Sequence, residues 1–329
     1  MARKNWLFVL MAALIAATLV AGCTAPPAQQ AKQEAKKKKI GFSVFDMQYG
    51  FFQDMEKGTK EAAQAAGYDY VLVDEKSSES TMVSATQDLI NQGIDALIIS
   101  PFSPPAMGPI VDAAKKKGIP VVVNDIGGGG TAYDVIVISN NAEGGVMAAD
   151  HLDKLIKGTG NTSKKVASIT CDPQHVYAWR RNVSFEKRIK ELGYEVVASL
   201  NGKSQQELGY SLMKDVLSAH PDVAGVFSCN DPMAVGAAQA IADSGKSGVK
   251  DIPVVGFNAD EIALKAIKEG SMAATVQQVP YEMGKMTVDL ATKLMAGEKL
   301  KYDDDKEREI WVPVKLITPE NVDTLLNKQ

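Results

Sequence analysis

The sequence predicts an α/β protein made of two similar doubly wound parallel-sheet domains, and three observations carry that prediction. Short β-branched runs alternate with amphipathic stretches along nearly the whole chain. A phrase near the middle, GIPVVVND at 118–125, returns later as DIPVVGFNAD at 251–260. The length of 329 residues exceeds what one ordinary core fills and suits two domains of about 150 residues each.

The elements follow in order. KIGFSVF (39–45) is a strand, and FFQDMEKGTKEAAQAAG places Phe52, Met55, Thr59, Ala62, Ala63 and Ala66 at helical spacing before Gly67 stops it. YDYVLVD is the next strand, MVSATQDLINQG a helix, and IDALIIS a strand apolar on both faces, as a buried parallel strand should be. AMGPIVDAAKKKG and IPVVVND complete the first βα series. The second half repeats the plan. KVASITC (165–171) is a strand, a loop runs to Trp179, and RRNVSFEKRIKELG is a helix ending at Gly193. YEVVASL follows Gly193 as YDYVLVD followed Gly67, VAGVFSCN answers DALIIS, and Val166 stands in its strand where Ile40 stands in the first. Matched landmarks in one order point to a duplicated plan.

Composition narrows the function. Hydrophobic residues at 45% and charged residues at 23% describe a globular protein, and a formal net charge of −4 argues against a general nucleic-acid binder. At the N-terminus, Arg3 and Lys4 precede an apolar run that ends in LVAGC, with Cys23 last. That run is short for a membrane span and reads as an export signal over 1–22. Residues 23–38, rich in Pro, Gln, Ala and Lys, have nothing to bury and read as a flexible tether. The three cysteines, Cys23, Cys171 and Cys229, form no CxxC pair. Cys171 and Cys229 end strands that are sheet neighbours in a 2-1-3-4-5 order. Adjacent parallel strand ends seldom offer disulfide geometry, so free buried thiols are expected.

Ligands of open α/β sheets bind outside the carboxyl ends of the strands. Those ends carry Phe45, Asp125, Asn230, Asn258 and other Asn and Asp residues, with aromatics in FDMQYGFF. There is no G-x-S-x-G elbow, no GxxxxGK[ST] loop and no telling pair of carboxylates. GGGG (127–130) opens no convincing helix. Carboxylates, amides and a guanidinium beside aromatic rings suit a small polyhydroxylated ligand, whose hydroxyls both donate and accept. DDDKERE (303–309) reads as a solvated charged face and not as a calcium site.

IGFSVFDMQYGFFQDMEKGTKEAAQAAGY, NQGIDALIISP, GIPVVVND, NNAEGG, AHPDVAGVFSCNDPMAVGA, VVGFNADEIALKAIKEG and AATVQQVP occur in an order that resembles the type I periplasmic-binding-protein class. These are the solute-binding proteins of ABC importers for pentoses and hexoses, and the likeness is greatest to the ribose-binding branch. LVAGC likewise resembles a lipobox, which implies lipid attachment at Cys23 and a palmitate-bearing membrane anchor. The resemblance implies two lobes, 39–139 plus 279–312 and 140–278 plus 313–329, joined by a three-segment hinge near Ser139, Gln278 and Val312. It implies that Phe51 and Phe52 give stacking surface, with Phe45 and Tyr49 nearby. It also implies that Asp125 accepts sugar hydroxyls and that Arg181, Asn230, Asn258 and Gln278 complete the ligand set. His175 lies where glucose- and galactose-binding relatives place a histidine, and Tyr177 and Trp179 offer further contacts. The chain departs from the pattern at Ile126 in place of an arginine, Asn258 in place of an aspartate, Ser184 in place of a glycine and Ser204 in place of an aromatic. Hexoses, sugar alcohols and cyclitols therefore stand beside pentoses.

The implied partners are a sugar or polyol, a permease with its ATPase, and the membrane through Cys23. No nucleic acid, cofactor or metal is implied, and a monomer is the default. An enzyme would want a nucleophile-base pair or a metal cluster, which the scattered His151, His175 and His220 do not supply. A repressor sharing this core would begin with a helix-turn-helix. The alternative within the same chemistry is a sensing protein for a chemoreceptor, a histidine kinase or a quorum signal such as autoinducer-2.

Overall fold

The computed structural model of the chain describes residues 37–326. The expected export signal, Cys23, nearly all of the expected tether and residues 327–329 lie outside the described residues. From Lys37 onward the chain forms one compact unit that contains both sheets and their cores.

Alternation of strand and helix produces two six-stranded sheets. The first has the order β2 (Asp69–Asp74), β1 (Lys39–Val44), β3 (Ala96–Ser100), β4 (Val121–Asn124), β5 (Val135–Ser139) and β11 (Glu309–Val312). The second has the order β7 (Glu195–Asn201), β6 (Lys165–Thr170), β8 (Gly225–Ser228), β9 (Val254–Asn258), β10 (Ala274–Gln277) and β12 (Lys315–Ile317). Ile40 and Val166 occupy the second positions of β1 and β6. The strand pairs are parallel except for β12, which runs antiparallel to β10. Interior strands such as β3 are buried throughout, because helices cover both sheet faces. These are two α/β domains of one topology, distinguished by the direction of the last strand.

The helices α1 (Gly50–Ala65), α2 (Glu79–Asn91) and α3 (Gly108–Lys116) belong to the first series, and α4 (Asn141–Thr159) begins the second. There follow α5 (Val176–Glu191), α6 (Gln206–Ala219), α7 (Asp231–Asp243), α8 (Glu261–Glu269), α9 (Pro280–Met295) and the short α10 (Asp323–Leu326). In α1 the buried face is Phe52, Met55, Gly58, Thr59 and Ala63, while Ala66 stands at the C-cap and is exposed. α5 starts at Val176, before the Arg180 expected, so Trp179 is helical. The amide N–H of Trp179 already donates to the carbonyl of His175 at 2.8 Å. The chain passes between the domains three times: from β5 into α4, from β10 into α9 and from β11 to β12.

The expectation for the two thiols is overturned. Cys171 and Cys229 form a disulfide, with Cα atoms 5.7 Å apart. Both stand one residue beyond the last paired residues of the neighbouring strands β6 and β8, where their Cα atoms lie within bridging distance. The amide of Cys229 still donates to Ile169, which holds the two ends together.

A buried polar chain supports the first domain near its strand ends. Glu75, with no exposure, accepts from the Ser43 hydroxyl and from the amide of Phe102, both at 2.7 Å, and Thr86 donates to Ser43 in turn. Burial pushes the Glu75 carboxyl from 4.5 up to about 7, against the lowering effect of those two donors.

Two outcomes follow. Replacing both Cys171 and Cys229 with Ser removes a cross-link and lowers stability by about 2–4 kcal/mol. This would be read as a fall in Tm that is absent when wild type and variant are compared after reduction and alkylation. An unchanged Tm under oxidising conditions would contradict it. For Glu75, the folded state keeps a proton that the unfolded chain releases above about 4.5. The stability present at low pH is therefore lost as pH rises towards about 7. Tm measured across that window should fall less steeply in Glu75→Gln than in wild type, and parallel curves would refute the assignment.

Candidate functional site

The carboxyl ends of both sheets open onto one cleft of about 1420 Å³ lined by residues of both domains. Its first wall is aromatic. Phe45, at the end of β1, stacks on Phe52 at 5.0 Å, lies 5.2 Å from Phe102 and 6.1 Å from Tyr49, and Phe51 meets Phe52 edge-on at 5.2 Å. Phe52 is mostly buried, so it backs the wall as well as lining it, while Tyr49 is exposed. The buried Glu75 fixes Phe102 through its backbone amide.

The duplicated phrases end at the centre of the cleft. β4 delivers Asp125 at φ 66° and β9 delivers Asn258 at φ 122°, both in the region that L-residues seldom occupy. Such backbone costs on the order of 1–3 kcal/mol and persists where the surroundings hold it. Here it aims side chains from two sheets at one space. Burial pushes the Asp125 carboxyl up to about 6, opposed by the nearby Arg181 charge.

Arg181, in the second turn of α5, is 7% exposed. Its Nε donates to Asn141 Oδ1 at 2.7 Å, and its Nη1 donates to the carbonyl of Cys229 at 3.0 Å and to Asn258 Oδ1 at 3.1 Å. The guanidinium lies 3.9 Å over the ring of buried Phe257. Burial pulls it down to about 10, against the opposing effects of Asp125, Asp231 and Asp260. The close approach of α4 and α5 that makes this possible requires Gly145. A Cβ there would collide with the Ser184 hydroxyl and the Arg181 carbonyl. Gly145 thus makes room for the serine that stands at Ser184.

The remaining expected residues divide by role. Asn230 caps α7, its Oδ1 accepting from the amide of Met233 at 3.3 Å, which leaves its Nδ2 for the cleft. Asp231 lies deeper, accepting from the Thr275 hydroxyl at 2.6 Å and from the amide of Asp260 at 2.7 Å. Burial raises the carboxyls of both Asp231 and Asp260. Gln278 donates from Nε2 to Asn258 at 2.9 Å, while its buried Oε1 has no partner among the described residues. His175 lines the cleft from an exposed position, and Trp179 does not line it.

Tyr177, expected as a further contact, lines the cleft, and residues without an expected role line it too: Asn141, which orients Arg181, and Asp260, Phe102 and Tyr133. Asn141 belongs to NNAEGG and Asp260 to GFNAD, so both lie in motif segments although neither side chain gives a local signal of its role. The 303–309 stretch is not the uniformly solvated face expected. Lys306, Glu307 and Arg308 line the rim, Tyr133 donates its hydroxyl to the Glu307 carbonyl at 2.9 Å, and Glu309 is fully buried. An arginine from the other domain neutralises that carboxylate, which composition alone does not reveal.

Chemically, the cleft presents spare acceptors in the two oxygens of the Asp125 carboxylate, while Gln278 Oε1 is buried at its wall. It presents spare donors in Arg181 Nη2 and Asn230 Nδ2. No cluster of His, Cys, Asp and Glu among the described residues could hold a metal ion. The arrangement suits groups that donate and accept at once, and among the described residues lining the cleft no nucleophile stands beside a base.

Comparison with known proteins agrees with this architecture. A family model described as a periplasmic binding protein domain matches residues 40–299. A ribose import binding protein of Bacillus subtilis is 34% identical over 305 residues, covering 91% of this chain and 95% of the relative. Among solved structures, a periplasmic ribose ABC transporter protein of Conexibacter woesei superposes with a TM-score of 0.80 at 27% identity, covering 88% of this chain and 95% of the other. An ABC transporter solute-binding protein of Bacillus halodurans with bound myo-inositol gives a TM-score of 0.73 at 26% identity, covering 89% and 98%. None of these relatives is described as an enzyme. The fold, the cleft and a match along most of the length lead to one conclusion: the chain belongs to the periplasmic binding protein family.

Proposed function

We propose that this protein captures a sugar or polyol between its two domains, closes over it and delivers it to the permease of an ABC importer. One observation carries the reading. Asp125 from the first domain and Arg181, Asn230 and Asn258 from the second converge on one cleft that an aromatic wall flanks. Hydroxyl groups satisfy both the spare acceptors and the spare donors, and the C–H faces of a sugar ring suit the Phe45, Phe51 and Phe52 surface. The likeness to ribose-binding and myo-inositol-bound relatives supports the ligand class. A ligand that touches both domains favours the form in which they meet, with the three crossovers near Ser139, Gln278 and Val312 acting as the hinge. The lobes of this reading are 39–139 plus 279–312 and 140–278 plus 313–329. Lipid attachment at Cys23, after removal of residues 1–22, would hold the body at the outer face of the membrane, where a binding protein meets its permease.

Thermal unfolding against a panel of aldoses, polyols, inositols and nucleosides tests this. A ligand at about a thousand times its Kd adds roughly 4 kcal/mol, a rise in Tm on the order of 10 °C. The expected result is a selective rise with one sugar or polyol, abolished by Asp125→Ala and by Arg181→Ala. A protein freed of co-purified ligand that responds to no carbohydrate contradicts the reading.

The carboxylate form of Asp125 is the acceptor, and its carboxyl titrates near 6. Affinity should hold above neutral pH and weaken as pH falls through about 6, because protonation removes the acceptor. Calorimetric titration across that range should show the loss in wild type, and a pH-independent Kd would contradict it.

A further inference from the structure

Two adjacent arginines in the early turns of α5 point in different directions. Arg181 enters the cleft floor, whereas Arg180 leaves its own domain. The Nη1 and Nη2 of Arg180 donate to Oε2 and Oε1 of Glu309 at 2.7 and 2.8 Å, a bidentate pairing. Glu309 opens β11, the edge strand of the first domain's sheet, and its side chain has no exposure, against 34% for Arg180.

Other groups hold the pair in place. The indole N–H of Trp311 donates to Oε2 of Glu309 at 2.7 Å. The ring of Tyr177 lies 4.7 Å from the Arg180 guanidinium. Tyr177 itself packs against Gly127 of the first domain so closely that a Cβ at Gly127, where φ is +116°, would lie 2.9 Å from the ring. The contact therefore joins the start of α5 to two separate segments of the opposite domain. One is the loop that follows Asp125, and the other is the strand that continues into the third crossover at Val312.

We infer that Arg180 and Glu309 form a latch. The pair holds the Arg181-bearing end of α5 against the first domain and keeps part of the empty population closed. Arg180 lines the cleft, but Glu309 takes up both its Nη1 and its Nη2. Both act by positioning, since a binding-competent form populated at only a fraction weakens the apparent affinity by that fraction. A planar fork on a carboxylate, with the carboxylate withdrawn from water and the guanidinium partly so, is the geometry in which such a pair is strong and specific. When the domains part, both groups return to water, so the pair biases closure without locking it. The inference rests on the two-domain cleft reading but not on which solute the cleft takes.

The test needs no solute. Small-angle scattering of the ligand-free chain from Lys37 onward, the self-contained unit described above, would compare wild type with Arg180→Gln, Glu309→Gln, the double variant and Arg180→Lys. The latch predicts a larger radius of gyration in each Gln variant and a double variant no larger than the singles. The Lys variant should lie in between, because an ammonium keeps the charge but not the fork. Scattering curves that superimpose on wild type while Tm falls would reduce the pair to a structural buttress and overturn the inference. So would a ligand-free wild type that is already fully open. If Glu309→Gln fails to fold, Arg180→Gln changes the more exposed partner and carries the test alone. Because the readout is ligand-free, failure here leaves the carbohydrate reading standing, and failure of the sugar panel leaves the latch standing.

Discussion

Arg181 carries a positive charge into the floor between two sheets, and the surrounding cleft is arranged around the cost of burying it. Its three hydrogen-bond acceptors are neutral: an amide oxygen of Asn141, the carbonyl of Cys229 and the amide oxygen of Asn258. The opposing charge comes from three carboxylates that surround it without pairing directly, Asp125 from one domain and Asp231 and Asp260 from the other. A buried cation held in this way keeps its Nη2 free for a ligand. The same contacts tie α5 to the first residue of α4, just past one crossover, and to the disulfide-bonded end of β8. The site, one crossover between the domains and the covalent staple thus share one anchor.

The duplicated architecture supplies the symmetry that this arrangement needs. β4 and β9 end alike, in residues at positive φ that face a common space. Their chemistry differs, with a carboxylate on one side and an amide already engaged by Arg181 and Gln278 on the other. One domain therefore offers a strong acceptor, and the other offers most of the donors. In the proposed reading, a hydroxylated ligand would bridge the domains and be a guest of neither one alone.

Much of this was legible in the sequence because strand ends in parallel sheets are fixed by hydrophobic runs. IPVVVND and IPVVGFN mark their own carboxyl ends, and so mark Asp125 and Asn258. Local signals failed where a distant partner decides the outcome. DDDKERE looks solvated until Arg180, far along the chain, buries Glu309. The early start of α5 carries no capping side chain at His175 to announce it. Cys171 and Cys229 lie one residue past their strands, so the geometry of paired strands does not decide whether they bond. Asn230 and Asp231 both suit a helix cap, and only the packed structure shows that Asn230 caps while Asp231 is drawn inward by Thr275. Asn141 was invisible as a site residue because its task is to orient another side chain.

The central claim is that one solute is held by both domains at once. Hydrogen exchange on the protein with and without the carbohydrate that raises its Tm tests this directly. The account predicts simultaneous protection of the segment following Asp125 in the first domain and of the segments around Asn230 and Asn258 in the second. Protection confined to one domain, with the other exchanging as it does in the empty protein, would contradict it.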